Sequence, residues 1–349
     1  MSTRTWITLI TLALLGTVVY FGWPEIVQAF GLMGRVNPWI LALLLPVQFL
    51  SYYCDGQSMF SYLKDKGELK GASKFLMDRM SLEINFINHI FPLPAAGGFS
   101  YASWALSRHG VSHGRSAMAQ IIRHFSQFFT FATLIVLSVF VLLFDNNASK
   151  LTIFISTIFF VGIIALILGT VFIISSRKRI MAISRLSTKI VNFFVKIFVR
   201  KEKQKLINLE KVNEFFFDMH EDYLEIKKDR RILLKPLMWS TIESLLDVSL
   251  IMITFLSLGF FINPAALIVA YGIACFVSVI FAVLPGGAGV YETAMITFLA
   301  SAGVPADVAI AGTLLARAIL LLATIVFGYT FYQLTISKYG KVDNSSTNL

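Results

Sequence analysis

Among the ionisable side chains within or beside otherwise apolar stretches, the candidates for chemistry are Glu83, Arg123, His124, Glu243, Asp247, Glu292 and Arg317. A charge in hydrocarbon costs roughly 2.5–3.5 kcal/mol on insertion scales, so each calls for a partner or a function. Glu243 and Asp247 stand four residues apart and share one helix face, where like charges repel. That pair predicts a retained proton or a cationic partner, either Arg123 (with Gln127 one turn on) or an amine on a substrate. Arg317 is expected to pair with Glu292 or with a lipid phosphate, because its fork can donate two parallel hydrogen bonds. Structural ion pairs between helices are the alternative. Glu83, Arg123 and His124, placed near predicted helix ends, are expected to snorkel toward the interface. Cys54 and Cys275 read as small packing residues, His89 and His109 as ordinary polar groups, and no metal-ligand spacing occurs.

Two proline-glycine breaks would hold this chemistry in place. The first reads His89-Ile-Phe-Pro92-Leu-Pro94-Ala-Ala-Gly97-Gly98, preceded by Asn88; the second reads Leu284-Pro285-Gly286-Gly287-Ala-Gly289-Val-Tyr291-Glu292. Proline removes a helical donor and glycine reaches conformations closed to other residues, so both should end helices at membrane depth. Such backbone survives only where protein or a water-filled cavity covers it, and matching breaks in two halves point to a substrate site. Main-chain N–H groups opening the helix at Tyr291 are expected to face an anion such as a lipid phosphate. A plain tight turn is the bland alternative.

The elements around these breaks are hydrophobic throughout. Of 349 residues 56% are hydrophobic and only 14% charged, against about a quarter in soluble domains. The fold class is therefore all-α, a polytopic helical bundle in a membrane. Expected spans are Trp6–Trp23, Trp39–Phe60, Met118–Phe144, Leu151–Ser175, Leu237–Phe261, Pro264–Leu284 and Val308–Leu334, with Leu82–Leu106 and Gly286–Ala300 short or broken. Counting one or both of the last gives about eight or nine membrane segments. Arg4 and the following apolar run resemble a signal peptide, but the run is too long, and an uncleaved first helix is expected. The whole chain, 1–349, reads as one transmembrane domain holding a basic loop at 176–235 and a polar tail at 337–349.

Charge sets the orientation. Arg177–Lys235 holds sixteen of the thirty Lys and Arg against eight of the twenty acids, interleaved at its start with Ile180, Ile183, Ile190, Phe193, Phe194, Ile197 and Phe198. A basic helix with an apolar face suits an anionic leaflet, and the positive-inside rule accounts for most of the charge. With Lys64–Arg79 and Lys338/Lys341, it puts both termini and the loop in the cytoplasm. Glu210–Arg231, with balanced charge, is expected to be a solvated helix or hairpin. Nucleic acid is excluded as a partner, because the patch lies between spans and carries no binding motif. Phosphate-loop, Gly-x-Ser-x-Gly and His-Glu-x-x-His motifs are absent, so no cofactor and no nucleotide-driven or motif-based catalysis is called for.

Pro285-Gly-Gly-Ala-Gly-Val-Tyr-Glu292, then Gly303 and a helix bearing Arg317, resembles the transmembrane region of the lysylphosphatidylglycerol synthase/flippase family. Asn88, Pro94 and Gly97-Gly98 look like that family's first block, although Ala95, Ala96 and Phe99 stand where members often carry an acid or arginine. The resemblance runs from the second span to the last. It implies a plasma-membrane protein whose partners are membrane lipids, anionic ones, in the manner of standalone flippase-like members. Aminoacyl-transferring members carry a large soluble domain after this region; here a polar tail follows, which implies the lipid-handling part, with a separate soluble transferase as a candidate partner. The headgroup site would comprise Pro285, Gly286, Gly287, Gly289, Glu292, Arg317, Glu243, Asp247, Arg123, Asn88, Pro94, Gly97 and Gly98. The leading expectation is translocation or binding of a phospholipid or polyprenyl-phosphate-linked lipid. A membrane-embedded transferase using Glu243/Asp247 as base and a small-solute secondary transporter are the alternatives.

Overall fold

The computed structural model describes residues 36–90, 94–144, 150–198, 209–280 and 289–339, with isolated positions before residue 36. The expected first helix, residues 91–93, Pro285–Gly287 and the tail beyond Tyr339 lie outside these. Among the described residues the fold is helical with no strand: α1 (Pro38–Ala42), α2 (Leu44–Asp65), α3 (Lys74–Ile90), α4 (Pro94–Ser107), α5 (His113–Phe144), α6 (Lys150–Ile174), α7 (Arg177–Phe198), α8 (Leu209–Lys228), α9 (Leu234–Ser257), α10 (Pro264–Ile280), α11 (Val290–Ser301) and α12 (Ala306–Tyr339).

Among the described residues, four helical segments are long and apolar enough to cross a membrane: His113–Phe144, Ile153–Ile174, Arg230–Ser257 and Ala306–Tyr339. Their exposed flanks are lined with Phe and Leu, including Phe140, Phe154, Phe172 and Leu245. In water such surface would aggregate; in lipid it is already solvated.

The two break regions become pairs of half-helices. α3 and α4 pack together as one pair, and α10 and α11 as another. With 17, 14, 17 and 12 residues, none reaches about 30 Å at about 1.5 Å per residue. The first pair begins where α2 ends and returns to where α5 begins. The second begins near the end of α9 and returns to the start of α12, at the opposite end of the bundle. The two pairs therefore enter from opposite ends, and Asn88 and His89 of the first and Ser278 and Tyr291 of the second line one cavity.

Apolar packing brackets that cavity. One buried cluster gathers Met59, Phe60, Phe86, Ala117–Ala119, Ile122, Tyr332 and Ile336; another gathers Ala132, Ile135, Val248, Phe255, Met295, Leu299, Val308 and Ala316. Along α5 the first cluster precedes residues 123–127 and the second follows; along antiparallel α12 the order reverses around residues 317–321. The layer between them is polar.

Charged residues 210–231 dock onto the bundle. Lys66, at the end of α2, bridges Asp222 (3.2 Å) and Glu225 of α8, while Arg115 at the start of α5 meets Glu68 (2.5 Å) and Asp222 (3.7 Å). Ser112 Oγ donates to Asp218 (2.9 Å), and His220 Nδ1 contacts the Ile174 carbonyl (2.7 Å). The expected solvated helix or hairpin is found as α8 packed against α7, with Glu214 and Glu221 exposed and with Asp222 and Glu225 turned to the basic groups at the ends of α2 and α5. The hydrogen bond from Lys66 holds the Glu225 carboxyl below its usual range. A depressed acid contributes stability that is full above its ordinary pKa of about 4.3 and is lost as pH falls through the lower folded value. Hydrogen exchange in α8 is accordingly expected to stay protected from neutral pH down to about 5 and to rise below about 4. Lys66→Met, which leaves the buried Asp222 only the longer ionic contact with Arg115 (3.7 Å), should expose α8 at neutral pH.

Candidate functional site

Four helices place polar side chains on one face each, at helical spacing, and turn those faces toward one point. α2 contributes Gln48, Ser51, Tyr52 and Asp55; α3 contributes Asn85, Asn88 and His89; α5 contributes Arg123, His124 and Gln127; α9 contributes Glu243 and Asp247. Spacings of three and four put such residues on a common helix stripe. Tyr271, Cys275 and Ser278 of α10, Tyr291 of α11 and Arg317 of α12 complete the walls of a cavity of about 360 Å³. That volume falls within the usual range for small-ligand sites, about 300–1,000 Å³.

Asp55 is the hub. Its Oδ2 accepts from Arg123 Nη1 (3.2 Å) and Asn85 Nδ2 (2.9 Å), and its Oδ1 accepts from Gln127 Nε2 (3.1 Å). The same Gln127 amide donates to Glu243 Oε1 (2.7 Å), while its carbonyl meets His124 Nδ1 (3.1 Å). Asp247 accepts from Ser51 Oγ (2.5 Å) and Tyr271 OH (3.0 Å). The Oε2 of Glu243 has no hydrogen-bond partner among the described residues, and Glu243 is only 6% exposed. A buried carboxylate oxygen left unpaired is costly and marks either a strained or a ligand-accepting position.

Both guanidinium groups are matched by acids. Arg317 Nε lies 3.1 Å from Glu292 Oε1, and its guanidinium stands 4.9 Å from the centre of the Tyr291 ring. Glu292 Oε2 also accepts the Gly289 N–H (2.7 Å), the reach-back half of a capping box, and Gly289 adopts φ 82°, a conformation glycine enters without steric cost. The elbow's acid therefore does two jobs, capping α11 and fixing Arg317. The Gly289 N–H, expected to face an anion, is given to Glu292.

Several expectations change here. Arg123 does not snorkel: it is 3% exposed, deep within α5, and bonded to Asp55 rather than to Glu243 or Asp247. Glu83 is fully buried and faces the α3–α12 interface, held by Tyr101 OH (2.7 Å), Thr335 Oγ1 (2.5 Å) and Arg79 Nε (3.2 Å). His124 lies in the polar layer and not at an interface. Gly97 and Gly98 are helical members of α4, which Pro94 opens, and neither glycine is among the residues lining the cavity. Proline suits a first helical turn, where its missing donor costs nothing.

Gly98 instead lets α4 approach α3, since a Cβ there would overlap the Asn88 side chain. Gly98→Val is expected to lower the melting temperature in detergent, at a cost of roughly 1–3 kcal/mol for overpacking, while Gly97→Ala should be milder. Sequence reasoning overlooked Gln48, Ser51, Tyr52 and Asp55 of α2, Asn85 of α3, and Tyr271 and Ser278 of α10. On α2 the signal was present as a polar stripe at positions 48, 51, 52 and 55 of an apolar stretch.

Comparison with known proteins gives one family. The chain matches the pattern described as the lysylphosphatidylglycerol synthase TM region over residues 6–328. No curated protein and no solved structure matches it.

Proposed function

The chain belongs to the lysylphosphatidylglycerol synthase transmembrane family, and from that premise we propose that it takes a lipid headgroup into the central cavity and passes it between leaflets. The carrying observation is the position of that cavity: a charged, polar layer between two apolar clusters, lined by residues of two half-helix pairs that enter from opposite ends. Opposed half-helix pairs around a central site are the arrangement by which transporters expose one site to either face. Arg123 and Arg317 offer donors for a phosphate, and the free oxygen of Glu243 accepts from a headgroup hydroxyl or ammonium. Leu250, Ile251, Leu320 and Leu321 on the wall leave an apolar side past which acyl or prenyl chains remain in lipid.

In this reading the chain is a single transmembrane domain of eight or nine segments in the plasma membrane, with both termini and the α7–α8 hairpin in the cytoplasm. The substrate is a phospholipid or a polyprenyl-phosphate-linked lipid, and a separate soluble transferase is a candidate supplier. No nucleotide site drives it. The lipid gradient or the membrane potential supplies the energy, the latter about 2.3 kcal/mol per charge per 100 mV.

The experiment is reconstitution into liposomes with labelled phospholipids and polyprenyl phosphates. Exchange between leaflets should exceed that of protein-free vesicles and fall with Glu243→Gln. Equal rates with and without protein would overturn the proposal. The unpartnered Glu243 oxygen also suits a general base, so a second reading is a transferase acting on a lipid-linked substrate in the same cavity. Full turnover by Glu243→Gln in a purified transfer assay would remove it.

A further inference from the structure

A second cavity, of about 490 Å³, lies at the end of the bundle that carries the α7–α8 hairpin, apart from the central one. Its walls are the turn before α3, the turn between α4 and α5, and the last residues of α12. Lys70, Arg79, His109 and Lys338 line it, and no carboxylate is among its described lining residues. Glu83, buried behind it, meets Arg79 at Nε (3.2 Å) and so fixes that guanidinium against the wall. Lys70 and Lys338 add charge that no described acid pairs, Lys338 standing 5.0 Å from the centre of the Tyr339 ring. Burial, then the charges of Lys338 and Arg79, hold the His109 imidazole below its usual range, as expected in a positive pocket.

The backbone here is also unusual. Gly67, Leu69 and Gly71 all take positive φ (77°, 56° and 84°), and Leu69 is the sole non-glycine residue to do so among the described residues. A leucine in the left-handed region is strained, and it is held here by burial of its side chain. This turn places Lys70, Gly71 and Ser73 on the cavity wall, where α3 begins with the positive end of its dipole. Beside the charges, Phe75 is 64% exposed and packs edge-on to Phe331 (6.2 Å). Exposed aromatic rings next to lysines are what a protein presents at the boundary between headgroups and acyl chains.

We propose that this cavity holds the phosphate of an anionic lipid resident in the leaflet at the hairpin end, with Phe75 against its chains, as a site distinct from the translocation cavity. The chemistry is recognition of a phosphate ester by two lysines, one fixed guanidinium and a helix start. Free phosphate shares that chemistry but makes no use of Phe75.

The test is native mass spectrometry and thermal stability of the purified full-length protein with phosphatidylglycerol or phosphatidylcholine. Wild type should retain phosphatidylglycerol preferentially, and Lys70→Gln/Lys338→Gln should weaken that preference about thirtyfold, taking each lysine's usual contribution at an anionic surface. The double variant should keep the wild-type melting temperature in lipid-free detergent, and Phe75→Ser should weaken phosphatidylglycerol without changing any binding of inorganic phosphate. Arg317→Ala should leave intact the part of this retention that depends on Lys70 and Lys338, which separates the site from the central cavity. Unchanged lipid preference in the double variant, loss of its lysine-dependent part in Arg317→Ala, or displacement of the lipid by inorganic phosphate alone would each overturn the proposal.

Discussion

Arg123→Ala is expected to lower stability by about 3–5 kcal/mol, the cost of leaving a buried charge without its partner. With the guanidinium gone, Asp55 would keep only the amides of Asn85 and Gln127 as donors, in a layer closed above and below by packed hydrocarbon. Asp55→Ala should cost a similar amount for the reciprocal reason, since the Arg123 guanidinium would lose its acceptor. The replacement of both charges, Asp55→Asn with Arg123→Gln, should recover much of the loss. Amides can still bridge α2 to α5, and removing a buried pair together is far cheaper than removing half of it. Melting temperature in detergent reads this directly, with a shift on the order of 10 °C for each single variant. Single variants within about 1 kcal/mol of wild type would mean that water already reaches Arg123, and the closed polar layer would be wrong. The double variant has a second use: folded but inactive in lipid exchange, it would show that the charges serve the headgroup as well as the helix contacts.

How far the sequence could foresee this layer depends on whether a signal is local. Spans and breaks are local: the apolar run of α5 and the Pro-Gly pairs are visible in any window of twenty residues, and both half-helix pairs arise where proline and glycine stand. The partner of Arg123 is not local. Asp55 lies 68 positions away, and nothing near either residue names the other. Arg123 was misplaced for a related reason. Counted from the apolar stretch at Met118 it looks terminal, but the helix begins at His113 with a polar first turn and carries Arg123 inward. Gly97-Gly98 misled differently, because glycine after proline reads as a break whether it frees the backbone or admits a neighbour. Only the Asn88 side chain beside Gly98 tells the two apart. By contrast, Arg317 and Glu292 were expected to meet, and they do. Each was the single charge in its segment, so the choice of partners was small.

That pair carries the most specific functional consequence. Arg317→Ala is expected to slow lipid exchange in liposomes by roughly 10- to 100-fold, the worth of one charged hydrogen-bonding group at a headgroup. Arg317→Lys should recover little, because a point charge on a flexible stem lacks the fork and cannot stack on Tyr291 as the planar group does. The competing explanation is that Arg317 merely ties α12 to α11 through Glu292. Glu292→Gln separates the two. A glutamine can still accept the Gly289 N–H and cap α11, but it no longer neutralises Arg317. If the arginine's task is only to tie the helices, the neutral pair Glu292→Gln/Arg317→Gln should restore exchange, since amide-to-amide contact keeps the helices together. If the arginine holds a phosphate, the neutral pair should fold like wild type and remain as slow as Arg317→Ala. Glu292→Gln alone should then bind anionic headgroups more tightly, having lost the acid that competes for the same fork.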